Sequence, residues 1–175
     1  GVEPAIKQAK IYGGNTVVLS TPATQKNFKF LERKINKQLK KEFHEDRIKY
    51  QNDGKIFWVS DALLASKIEE EFENLDVVVP YLKSKLLRYK DLNIDNLVLG
   101  CTHYLAIKKQ LITLFGDISV FDGSLAVATR AKSLLKGNNK NLKSKKQIKF
   151  VSTNKNNKYE NNLKKYYCLI KNNKK

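Results

Sequence analysis

Methionine is absent from these 175 residues, and cysteine (2), proline (3), tryptophan (1) and histidine (2) are scarce. Acidic side chains are also short, with 17 Asp and Glu against 34 Lys and Arg. Each shortage narrows the reading. Without methionine, the chain opens inside what reads as a helix, at Gly1-Val2-Glu3-Pro4-Ala5-Ile6, as a piece cut from a longer protein would. Cys101 and Cys168 are far apart, so they make neither the disulfide framework of a small secreted domain nor the paired ligands of a zinc site. A reducing cytosol suits them. No apolar run approaches the roughly 18 residues of a membrane span, and no signal-peptide pattern is visible. No metal and no cofactor is expected, and no membrane partner.

The charge balance, +17, raises nucleic acid as a partner. Lysine and asparagine are spread along the whole chain, as in Lys136-Gly137-Asn138-Asn139-Lys140 and Asn154-Lys155-Asn156-Asn157-Lys158. Lysine far outnumbers arginine, whereas a groove built to grip phosphate tends to use both. The charge therefore reads as a solvated lysine surface. His44, in a charged stretch, reads as a surface residue.

What is present is an alternation of short apolar runs with helical patterns. Thr16-Val17-Val18-Leu19 reads as a buried strand, followed by the turn Ser20-Thr21-Pro22-Ala23-Thr24 and a basic amphipathic helix carrying Phe28, Leu31, Ile35 and Leu39. Residues 42–54 read as a loop or frayed helix. Lys55-Ile56-Phe57-Trp58-Val59 is a second strand, with Trp58 expected in the core. Ser60-Asp61 then caps a helix carrying Leu63, Leu64 and Ile68. Another helix is expected near Asp76 with Pro80 in its first turn, where no N–H is needed.

Asn96-Leu97-Val98-Leu99 is the third strand; its helix aligns Tyr104, Ile107, Leu111 and Leu114 and ends at Gly116. Ile118-Ser119-Val120-Phe121 is the fourth, followed by a helix with Val127, Ala131 and Leu134 closed by Gly137. After a basic connector, Ile148-Lys149-Phe150-Val151 reads as a further strand. A last helix spans Tyr159 to Leu169, with Cys168 packed on the sheet and a disordered basic tail beyond. This pattern predicts an α/β fold with an open, mostly parallel sheet flanked by helices.

In such sheets ligands bind beyond the carboxyl ends of the strands. Gly100-Cys101-Thr102-His103 occupies such a place. Glycine allows close backbone approach, and the first N–H groups of the following helix can hold a carboxylate or favour a thiolate. Thr102 adds a hydroxyl, and His103 exchanges protons near neutral pH. Most free cysteines are buried and inert. These polar neighbours, a poor core and a good anion site, set a reactive thiol beside that reading.

The run Leu97-Val98-Leu99-Gly100-Cys101-Thr102-His103-Tyr104 resembles the second cysteine signature of glutamate racemases, and His103 points to that branch rather than to the aspartate racemases. Ser20-Thr21-Pro22-Ala23-Thr24 resembles the family's threonine-rich turn. Ile68-Glu69-Glu70 resembles its Val-Glu-Glu segment, at the family's distance from Cys101. Phe121-Asp122-Gly123-Ser124, with Ala126 and Arg130, resembles the segment returning to the first domain, and Phe150-Val151-Ser152-Thr153 its closing strand.

The resemblance implies one of two similar racemase domains plus part of the other. Residues 1–14 would end the first domain, 15–118 would form the C-terminal domain with the second cysteine, and 119–175 would return to the first. It further implies cofactor-independent interconversion of L- and D-glutamate by two thiols, supplying peptidoglycan synthesis from the cytoplasm in a homodimer. Cys101 would face L-glutamate, with His103 as its proton partner and Glu69 as an auxiliary carboxylate. Thr102, His103, Thr21 and Thr24 would hold substrate. The first cysteine's motif is not in this chain, which would therefore be poorly stable and inactive alone.

Without the resemblance, Glu69 beside Glu70 and Glu71 is a solvated helix face, and Thr21 and Thr24 are ordinary helix caps. The chain also departs from the family pattern. It has Leu105 for proline, Ser20 for glycine, Asn27 for serine, Phe30 for tyrosine, Asp61-Ala62 for cysteine–proline, and Gly123 for serine. A basic nucleic-acid-binding module, or a nonfunctional racemase remnant, stand as alternatives.

Overall fold

The computed structural model describes residues 2–42, 54–135, 148–151, 153 and 157–172. His44, most of the expected loop at 42–54, Gly137, the basic connector and the chain's last three residues lie outside them. The chain divides into two compact units, Gly1–Gly123 and Ser124–Lys175.

The first unit is a parallel four-stranded sheet between helices. Its strands are β1 (Asn15–Ser20), β2 (Ile56–Ser60), β3 (Ile94–Leu99) and β4 (Ser119–Asp122), in the order β2-β1-β3-β4. The central strands β1 and β3 are apolar runs because both their faces are covered: Val17, Val18, Leu19, Leu97, Val98 and Leu99 are all buried. The edge strands β2 and β4 are mostly half-buried. Successive side chains alternate between faces. One face packs on α1 (Val2–Tyr12) and α3 (Phe28–Glu42), where Ala5, Ile6, Ala9, Ile35 and Leu39 enclose Val18 and Val98. Trp58, expected in the core, is partly buried at its margin, its indole N–H 3.4 Å from Glu32.

The opposite layer is α4 (Leu64–Glu70), α5 (Val79–Leu86) and α6 (Lys108–Phe115), burying Leu64, Ile68, Leu82, Leu86, Leu111 and Leu114. Pro80 sits in the first turn of α5, as its missing N–H requires. Gly116 closes α6 with φ +86°, a conformation that favours glycine.

The amino edge of the sheet is tied by Asn15. Its amide reaches the Leu92 carbonyl at 2.9 Å, and its side-chain oxygen accepts the Lys55 N–H at 2.9 Å.

The second unit holds α7 (Ser124–Leu135) and α8 (Asn157–Asn172). Two expectations fail here. Residues 148–151 are not a strand: alternating apolar residues become a strand only where a neighbouring ladder takes their N–H and C=O groups, and none of the three strand pairings includes them. Cys168, expected to pack on the sheet, is exposed on α8. Val127, Ala131 and Leu134 of α7 are exposed as well.

Candidate active site

The strand order itself locates a crevice. From β1 the chain steps outward to β2, then returns to lay β3 on the other side of β1. Where the order reverses, adjoining loops diverge and leave room at the carboxyl ends, the usual ligand position in open α/β sheets. That switch point lies between β1 and β3. Two predicted loops leave from it: Thr21 follows β1, and Cys101 follows β3.

The two strand ends are held tightly together. The Gly100 N–H donates to the Leu19 carbonyl at 2.8 Å. A Cβ on Gly100 would stand 2.8 Å from that same oxygen and 3.1 Å from the Ser20 Cβ. Gly100 is therefore required for approach to the neighbouring strand. Tyr104, fully buried, seats the far end of the motif, its hydroxyl 3.4 Å from the Ser20 carbonyl and 3.5 Å from that of Asp61.

Cys101 occupies the N-cap position of a 3-10 helix, Thr102–Ile107, in extended conformation. A longer α-helix was expected there; the tighter winding precedes α6. It brings His103 back over the thiol, with Nδ1 3.7 Å from Sγ. On its other side His103 Nε2 stands 3.4 Å from the Glu69 carboxylate on α4. Three of the predicted site residues thus form one relay, thiol to imidazole to carboxylate.

The electrostatics follow from this order. Burial pushes the Cys101 thiol up. The hydrogen bonds from the His103 side chain and backbone N–H, the imidazole's charge and the Thr102 hydroxyl outweigh it, and the thiol lies below its ordinary value. His103 is raised, first by its bond to Cys101, against desolvation, and then by the charges of Cys101 and Glu69. Both shifts run toward the thiolate on sulfur and the proton on nitrogen, a base and an acid side by side.

Thr21 and Thr24 meet each other, Oγ1 to Oγ1 at 3.4 Å, on the loop beside Gly100's strand partner. Thr21 stands at the N-cap of α2 (Pro22–Gln25), yet its side chain makes no capping bond. Asp61 was read only as a helix cap. It proves to be a buried junction at the end of β2, and its Tyr81 partner gave no sequence signal, because tertiary packing alone joins them. Among the described residues, no three His, Cys, Asp or Glu side chains gather as a metal site would need. No described helix is long and apolar enough to cross a membrane.

Fold and site together define an open parallel α/β domain with a cysteine–histidine–glutamate cluster at its topological switch point. No protein-family model matches the chain. Glutamate racemase of Clostridium botulinum (strain Alaska E43) is 34% identical over 142 residues, 79% of this chain and 50% of the relative. That of Clostridium perfringens (strain 13) is 32% identical over 152 residues, 84% and 53%. Glutamate racemase from Francisella tularensis, solved in complex with D-glutamate, superposes with TM-score 0.56 at 28% identity, over 82% of this chain and 49% of that one. The Escherichia coli enzyme, with TM-score 0.57 at 18% identity, shares the fold. The chain is thus similar to glutamate racemases and spans about half the length of the curated relatives it matches.

Proposed function

We propose that this chain is the half of a cofactor-independent glutamate racemase that carries one of two opposed thiols. The observation that carries the reading is the Cys101–His103–Glu69 relay at the switch-point crevice. An amino-acid α-proton is weakly acidic, so its removal needs a base placed accurately in a closed site that stabilises the developing charge. Cys101, as thiolate, takes the α-proton of L-glutamate. His103 holds the thiolate and receives or returns its proton, and Glu69 holds the imidazolium. Thr102, His103, Thr21 and Thr24 bind the substrate's polar groups from the two sides of the crevice.

One thiol exchanges a proton on one face only, and inversion needs a second group opposite. That group belongs to the part of the relatives' length this chain does not span. The unit Gly1–Gly123, with its sheet and α1, then forms the domain carrying Cys101, and residues 124–175 belong with the other racemase domain; the isolated chain is inactive. The whole enzyme works as a cytoplasmic homodimer whose D-glutamate supplies peptidoglycan. The glutamate named with the Francisella structure supports this choice of substrate.

The test is chiral chromatography of L-glutamate incubated with the chain joined to its native remaining half. D-Glutamate should accumulate, and Cys101→Ser should slow it about a hundredfold or more. Undiminished racemisation by the serine variant would remove Cys101 from the chemistry.

A further inference from the structure

Asp61 is 6% exposed, a buried carboxylate at the carboxyl end of β2, and nothing in the proposed chemistry uses it. Its contacts are unusually many for one side chain. Oδ1 accepts the N–H groups of Leu63 and Leu64, both at 2.8 Å, and so caps the start of α4. Oδ2 accepts the Tyr81 hydroxyl of α5 at 2.7 Å, with the Lys85 ammonium at 3.6 Å. Lys85 and Lys67 both lie over the Tyr81 ring, at 5.3 and 5.0 Å, which fastens α4 and α5 to one another through the same group. The Asp61 main chain continues the junction: its N–H donates to the Ser20 carbonyl at 3.0 Å, and its carbonyl faces the Tyr104 hydroxyl at 3.5 Å.

These contacts converge on the relay from two directions. Tyr104 is the residue after His103, and α4 is the helix that carries Glu69. That helix has only seven residues, and its anchored first turn acts with the buried Leu64 and Ile68 to set its direction. Glu69 lies near its far end, where a small tilt moves the carboxylate away from His103 Nε2. Supporting residues that fix such a carboxylate decide whether a site works or is merely present.

We propose that Asp61 is a positioning residue for the relay: by fixing the first turn of α4 against β1, α5 and Tyr104, it holds the Glu69 carboxylate on His103 beside Cys101. This rests on the reading of Cys101 as the reactive thiol given above. It gives a physical role to a position where the family pattern has a different residue.

The test uses the full chain and reads the thiol directly. Iodoacetamide alkylation of Cys101 is followed from pH 5 to 9 by mass spectrometry of its peptide, with N-acetylcysteine as reference. Groups facing the thiol are His103, Glu69, Tyr104 and, behind them, Asp61, Tyr81, Lys67 and Lys85. Wild type should show a midpoint below the reference. Asp61→Ala should raise that midpoint by about half a unit, a roughly threefold slower reaction on the acid side. Glu69→Gln should do the same, and the double variant should go no further than Glu69→Gln alone, since both act through one contact. Asp61→Ser, which returns a capping oxygen, should recover most of the shift. If Asp61→Ala does not fold, Tyr81→Phe takes its place, with a smaller rise expected.

An unshifted midpoint in folded Asp61→Ala or in Tyr81→Phe, with Glu69→Gln shifted, overturns the role of Asp61 and leaves the site reading standing. A wild-type midpoint equal to the reference removes the activated thiol, and this inference falls with it.

Discussion

Gly100→Ala should be among the most damaging small substitutions in this protein, for a reason of space alone. The added methyl would sit 2.8 Å from the Leu19 carbonyl oxygen, 3.1 Å from the Ser20 Cβ and 3.3 Å from the Ser20 Cα. The first and last of these are backbone atoms of a central strand, which cannot swing aside as a flexible side chain would. The end of β3 must therefore move away from β1, stretching the 2.8 Å bond from Gly100 N–H to Leu19. Overpacking of this kind costs about 1–3 kcal/mol, and the lost hydrogen bond adds about 0.5–1.5 kcal/mol. A combined loss of about 2–4 kcal/mol corresponds, for a unit of this size, to a melting midpoint lowered by roughly 8–16 °C. The same displacement carries Cys101 away from the Thr21 side of the crevice. Circular-dichroism melting measures the first effect; the pH profile of Cys101 alkylation measures the second. Gly116→Ala is the control: its Cβ meets nothing within 4 Å, and only its backbone, at φ +86° and ψ −132°, is unfavourable, so the expected cost is about 1–3 kcal/mol with no change at Cys101. A Gly100→Ala protein melting within about 2 °C of wild type, with Cys101 unchanged, would refute the packing argument, since that argument requires a loss several times larger.

Other outcomes follow from the same contacts. The contact between them lowers the Cys101 thiol and raises the His103 imidazole from their ordinary values. Stability from the thiolate is lost as pH falls through the folded thiol value, and stability from the imidazolium as pH rises through the folded His103 value. His103→Ala should therefore abolish the early, acid-side alkylation of Cys101, which a pH series of alkylation rates checks. Asp61 is held low against its own burial by Tyr81, the capped N–H groups and Lys85, so its contribution is present above the unfolded carboxylate value and lost as pH falls through the folded one. Urea titrations from pH 6 down to 3 should accordingly show a smaller acid loss in Asp61→Ala than in wild type. Asn93, at φ +48°, should accept glycine almost neutrally, whereas Asn93→Val should cost about 1–2 kcal/mol by urea titration, because a branched side chain fits that backbone poorly.

The legible parts of the sequence were those fixed by local pattern. The four strands are short apolar runs that end in turn residues, and each lies within a residue or two of its expected place. The cap at Asp61 and the proline in α5 were readable for the same reason, since both satisfy or spare N–H groups of one adjacent turn. Cys101 and His103 are two residues apart, so their contact needed only the right winding after β3. What could not be read depends on the rest of the molecule. Ile148-Lys149-Phe150-Val151 has strand composition but no ladder to join. Gly100 looked like room for a ligand, and its tightest neighbour is the adjacent strand. The contact of Glu69 with His103 bridges α4 and the β3 loop, and among three adjacent glutamates no local signal marks which one makes it. The switch point between β1 and β3 exists only in the strand order.

The most direct test of the central claim is deuterium uptake at the α-carbon of glutamate in heavy water, using the chain joined to its native remaining half. Starting from L-glutamate, wild type should form D-glutamate carrying one solvent deuteron, and Cys101→Ser should lose that conversion. A folded, joined protein that neither exchanges nor inverts glutamate would contradict the account and leave the family relationship as ancestry without the activity.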